Sequence, residues 1–190
     1  MTLRTGARVA LRYAFLPLWV WLCAAPIALF GADGDISEAR VKAAFLYKFA
    51  AYVDWPAEVF ARPESPLVVG VAGSDGIAEE LAQVVAGRTM NNRPVTVKRL
   101  RRGDPLTGVH ILFVGNDDSR ARDFLEQAQG KPILTVADGD VEGTQRSVLK
   151  FVVAESKVRF EVSLDAAQRN GVRLSAQLLA VAKQVRGANP

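Results

Sequence analysis

A chain of 190 residues, 49% of them hydrophobic, is long enough to bury one real core without staples. The formal charge of +4 is unevenly spread, because Arg4, Arg8 and Arg12 all stand before the first acid, Asp33. With Cys23 as the only cysteine, a disulfide framework is excluded.

The basic start runs into the apolar stretch "YAFLPLWVWLCAAPIALF" and then into the small residues Gly31 and Ala32. A charged region, a greasy region and small residues in that order are the layout of a secretory signal peptide over residues 1–32. The stretch is also long enough for a retained membrane anchor, although Pro17 and Pro26 interrupt it. A lipid attachment at Cys23 fits poorly, since the bulky Trp21 and Leu22 precede it. Removing the leader lowers the charge from +4 to +1, because three arginines leave and no acid does. The basicity is therefore mostly an export signal, and it gives no support for nucleic-acid binding. Cys23 leaves too, so the exported domain has no disulfide and no thiol nucleophile.

From Ile36 onward helical and extended patterns alternate. Ser37 is placed to cap a helix whose apolar positions Val41, Phe45, Phe49, Tyr52 and Val53 recur at three and four, with Pro56 ending it. "PLVVGVAG" reads as a buried strand from Leu67 to Val71. Ser74 or Asp75 then caps the helix "IAEELAQVVAG", which closes at Gly87. "RPVTVKRL" alternates and predicts a strand exposed on one face, whereas "VHILFVG" predicts a central strand buried on both. Ser119 opens the helix "ARDFLEQAQG", and "KPILTVAD" is another short buried strand. Residues 147–153 and 157–163 predict a hairpin around Ala154-Glu155-Ser156. Asp165 caps a short helix ending at Asn170-Gly171, and Ser175 starts a last helix, "AQLLAVAKQV". The expected fold is one α/β domain over residues 36–186. Its sheet is mixed and mostly parallel, with helices on both faces and a C-terminal β-hairpin followed by helices.

Little in this pattern suggests catalysis. "GVAGSDG" places Gly73, Ser74, Asp75 and Gly76 at a strand-to-helix turn, where helix N–H groups can meet an anion. It is out of register with a dinucleotide fingerprint, and a turn with an Asp cap is the reading that the residues favour. His110, the only histidine, starts an apolar run and fits a structural role better than that of a general base. "DGDVEG" at 138–143 has acids at alternate positions but lacks the rest of a calcium loop, so a solvated loop is expected. The basic run "KRLRRGD" reads as an edge-strand guard in preference to an anion site.

The most specific stretch is "VKAAFLYKFAAYVDWP", residues 41 to 56. It resembles the start of the YfiR-like family of periplasmic regulators, which commonly read V-K-A-A-F-[LI]-Y-x-[FL]-x-x-[FY]-[VT]-x-W-P. Val41 to Tyr47, Phe49, Tyr52, Val53, Trp55 and Pro56 all match. "LVVGVAGSDGIAEEL", "RPVTVKRL", "VHILFVG" and "PILTVAD" follow in the family's order, and the ending "VRFEVSLDAAQRNGVRLSAQLLAVAKQV" is similar to its last strand and helices. Two departures stand out. Gly143-Thr144-Gln145-Arg146 replaces a common Gly-Gly followed by Met or Ile, and Ser163 stands where Asn is usual. The cysteine pairs of the best-known members are missing, so their redox control does not carry over.

The resemblance implies a non-enzymatic periplasmic protein with no cofactor. It would bind the periplasmic sensory region of an inner-membrane diguanylate cyclase of the YfiN type and repress it. On the first helix the stripe of Phe45, Phe49, Tyr52 and Val53 is expected to be core. Tyr47 falls off that stripe, and Trp55 and Pro56 form a corner at its end. These three are the residues expected in an exposed groove, a homodimer face or a partner contact. A different class of function is a periplasmic small-molecule sensor with its pocket at Gly73 to Gly76, acting on another membrane partner such as a sensor kinase.

Overall fold

The computed structural model describes residues 37–187, apart from 140 and 142. The signal-peptide reading of residues 1–32 lies outside the described residues.

The Ser37 hydroxyl accepts the Arg40 N–H at 3.2 Å and starts α1, Glu38–Phe49. The helix does not run on to Pro56. It tightens into a 3-10 turn at Ala50–Tyr52 and straightens into β1, Val53–Asp54. That short strand pairs antiparallel with β9, Arg173–Leu174, so a distant segment sets the end of the helix before the proline is reached.

The main sheet has eight strands. They are β2 (Leu67–Ala72), β3 (Thr89–Met90), β4 (Arg93–Leu100), β5 (Ile111–Val114), β6 (Leu134–Ala137), β7 (Leu149–Ala154), β8 (Lys157–Ser163) and β10 (Gln184–Arg186). Their spatial order is β10-β8-β7-β6-β5-β2-β4-β3. The middle, from β4 through β2, β5 and β6 to β7, is parallel, and β7–β8 is the expected antiparallel hairpin. Its turn uses Glu155 and Ser156, both at positive φ (52° and 57°). Asn91 and Asn92, at 50° and 62°, make the same kind of turn between β3 and β4.

The continuous apolar strands feed two cores because side chains alternate across a sheet. Ile111 and Phe113 of β5 join one cluster, while Leu112 and Val114 join the other. The first cluster takes the inner faces of α1 and of α2, Asp75–Val85. The second takes Phe124 and Leu125 of α3, Asp123–Gln127. Helices therefore cover both faces, as expected of a sheet whose central strands are apolar throughout. At the centre of the first core the rings of Phe45, Phe49, Phe151 and Phe160 lie 5.0 to 6.0 Å apart. Burying a ring such as Phe49 contributes about 2 kcal/mol.

Three local expectations are corrected. The helix predicted from Ser119 begins at Asp123, after a turn in which the Asp118 carboxylate accepts the Arg120 N–H. Ser163, and not Asp165, caps α4 (Leu164–Arg169) by accepting the Ala166 N–H. Ser and Asn are interchangeable caps, so the Ser163 departure from the family pattern is physically conservative. The last helix is also shorter than predicted. The Ser175 hydroxyl caps α5 (Ala176–Val181), but the chain then extends into β10, parallel to β8. Glu161 draws it there by pairing with Arg186.

Candidate functional site

The Trp55-Pro56 corner opens the segment 55–66, which folds over the N-terminal end of the parallel strands. Pro56 and Trp55 are half-buried. The Trp55 ring stands edge-on to Phe60 and to His110, each with centroids 6.4 Å away. Phe60 stacks on His110 with centroids 4.5 Å apart and planes 11° from parallel. On Phe60 lies the Arg93 guanidinium, 3.8 Å from the ring centroid. Arg93 also holds the segment by its backbone, donating from Nη1 to the carbonyls of Arg62 (2.9 Å) and Ser65 (3.0 Å). A Trp-Pro corner, a phenylalanine, a histidine and an arginine from three separate stretches thus make one layered cluster.

His110 sits just before β5 and is 5% exposed. Its backbone N–H donates to the Val68 carbonyl at 3.0 Å, and the Val68 N–H donates back to Nδ1 at 3.1 Å. Nδ1 is therefore the acceptor of a neutral ring and Nε2 carries the hydrogen. Burial lowers the His110 pKa below the ordinary 6.5, the Val59 backbone opposes this, and the Arg93 charge lowers it further. Among the described residues, Nε2 of His110 and Nε1 of Trp55 are buried side-chain nitrogens without a hydrogen-bond partner.

Tyr47 lies elsewhere. Its hydroxyl donates to the Thr89 carbonyl at 3.1 Å, and the Arg88 guanidinium sits 5.6 Å above its ring. Half-buried, it fastens α1 to the β3–β4 hairpin.

The turn of Gly73, Ser74, Asp75 and Gly76 lies at the opposite, C-terminal end of the parallel strands from Trp55. Gly73 takes φ +63°, a conformation suited to glycine, and the following loop of β5 packs directly against it. The Gly115 N–H donates to the Ala72 carbonyl and the Asp117 N–H to the Gly73 carbonyl. A Cβ on Gly115 would come within 2.4 Å of the Gly73 oxygen. The order of strands reverses at β2, and ligands of open α/β sheets favour that crevice. Here the crevice is filled by these two loops. Beside it lies an open depression of about 290 Å³, where Arg99, Arg101 and Arg102 face Asp75, Asp117 and Asp118. Ser74 makes no side-chain cap bond, and Asp75 pairs with Arg99 at 3.8 Å.

The structure also reveals a pair absent from the predicted sites. Lys42 of α1 is 5% exposed, and its ammonium lies 2.7 and 2.8 Å from the two carboxylate oxygens of Asp138 and 2.5 Å from Glu38. Asp138 is thus no solvated loop acid, contrary to the reading of "DGDVEG". The signal was a lysine one step before the apolar "AAFL" of a buried helix.

The model of the YfiR/HmsC-like family matches residues 39–183. The chain belongs to that family. The matched span begins on α1 and ends between α5 and β10, so it contains the aromatic cluster, Lys42 and Asp138. Within the YfiR/HmsC-like chain, the signature segment 41–56 supplies the core ring Phe49, the buried Lys42 and the Trp-Pro corner. Among the described residues no helix is long and apolar enough to cross a membrane.

Proposed function

We propose that this YfiR/HmsC-like chain is an exported, non-catalytic regulator that acts in the periplasm. It binds the periplasmic sensory region of an inner-membrane diguanylate cyclase and holds that enzyme inactive, lowering cyclic-di-GMP in the cytoplasm. The observation that carries this reading is the family match over residues 39–183, and the basic-then-apolar start of the chain supports export. A repressor of this kind works by differential affinity, binding the inactive state of its partner more tightly than the active one.

The contact residues we assign are Trp55 and Pro56, with Tyr47 as a second anchor. Trp55 is half-buried at the mouth of a layered cluster, the setting in which a large ring supplies contact area at little entropy cost. The test compares Trp55→Ala with the parent protein in co-purification with the cyclase's periplasmic region and in urea denaturation. Binding should weaken by about tenfold or more, a larger loss than that of folding stability. Equal loss of both would make Trp55 an ordinary packing residue.

A further inference from the structure

His110 is the one buried side chain near the corner whose chemistry changes with ordinary pH, and the geometry around it has no place for a second proton. Nδ1 already accepts the Val68 N–H at 3.1 Å. A proton there would set two N–H groups against each other and leave the Val68 donor buried without an acceptor. Nε2 makes no formed hydrogen bond among the described residues, and the Val59 backbone, which favours the charged ring, is outweighed by burial and the Arg93 charge. One face of the ring lies on Phe60 at 4.5 Å, and the Arg93 cation lies on Phe60 at 3.8 Å.

No carboxylate offsets this. Strands β2 and β5 contribute no ionisable side chain. On the covering segment Glu58 is exposed, while Arg62 and Glu64 are exposed and pair with each other at 3.4 Å. Asp54 before the corner and Lys131 before β6 are exposed as well. Arg93 of β4 is the charged group whose field reaches the ring, and it opposes protonation.

We infer that His110 is an acid-sensitive pin. In its neutral form it clamps the segment 55–66 through Phe60 and Trp55, and its protonation releases that segment and uncovers the Trp55 ring. The inference does not depend on the partner proposed above, because opening is a property of the free protein. Burial and Arg93 lower the folded pKa below 6.5, so the clamp is complete above that pH and is lost as pH falls through the lowered value.

The test is a titration of the purified protein without a histidine tag, in which the single histidine gives one unambiguous imidazole resonance. Hydrogen exchange of residues 55–68 is followed over about pH 8 to pH 5, normalised to the amides of β5 and β6. The imidazole should titrate below 6.5, and protection of 55–68 should fall with the same midpoint. The fall is about tenfold for each unit by which that midpoint lies below 6.5. His110→Asn keeps an oxygen at the Nδ1 position able to accept the Val68 N–H but never gains a charge, so its segment should stay protected throughout. An imidazole midpoint at or above 6.5, unchanged protection while it titrates, or the same opening in His110→Asn would each overturn the inference. If that variant fails to fold, the coincidence of the two midpoints in the parent protein decides the matter.

Discussion

Lys42 and Asp138 meet in a two-oxygen ion pair, at 2.7 and 2.8 Å, that ties the first helix to the end of β6. Their side chains are 7% and 21% exposed, and each needs the other because an uncompensated charge in such a place is costly. Lys42→Met should cost about 2–4 kcal/mol in urea denaturation. Adding Asp138→Leu should recover part of that loss, and strict additivity in the double-mutant cycle would rule the pairing out. Burial lowers the Lys42 pKa, but the bonds to Asp138 and Glu38 outweigh it and leave the net value above 10.5. The lysine's share of this stabilisation is therefore complete below 10.5 and is lost as pH rises through the raised value.

Glu161 holds the last strand in place. It is 11% exposed, pairs with Arg186 of β10, and lies 3.4 Å from Lys150 of β7. Burial alone would raise its pKa, yet Arg186 and Lys150 bring it below 4.5. A carboxylate held low stabilises the fold fully above its unfolded value, and this stabilisation is lost as pH falls through the folded one. Glu161→Gln should thus loosen Gln184–Arg186 at neutral pH, read as faster hydrogen exchange there. The parent should show the same loosening only in acid, below 4.5.

The β7–β8 turn leaves stability unclaimed. Glu155 and Ser156 both occupy the left-handed region, which glycine and asparagine adopt at lower cost. Replacing the pair by Asn-Gly should raise stability by about 1 kcal/mol in thermal or urea unfolding, with no change in binding. A destabilised variant would mean that the side chains there make contacts worth more than the backbone strain.

Much of the fold was legible because its signals are local. The alternation in "RPVTVKRL", the doubly buried run "VHILFVG" and the Ser caps before α1 and α5 depend on a few neighbouring residues. The errors came where a distant partner overrules the local pattern. Arg173–Leu174 turns Val53–Asp54 into a strand, and β8 draws Gln184–Arg186 out of a helix. The site divides in the same way. Trp55 stood out as a ring beyond the helical stripe and Phe60 follows it in the same segment, but Arg93 and His110 come from distant stretches that only the sheet order brings onto it. Tyr47, expected off the core stripe, packs half-buried against the first core as Phe45 and Tyr52 do, and the Thr89 carbonyl that engages it belongs to a hairpin 42 residues away.

The proposed restraint of a membrane diguanylate cyclase is tested by measuring cyclic-di-GMP in host cells with and without the chain. Deleting it should raise cyclic-di-GMP, and the parent chain should restore the low level while Trp55→Ala restores it poorly. An unchanged level on deletion, with normal cyclase expression, would contradict the proposed repression.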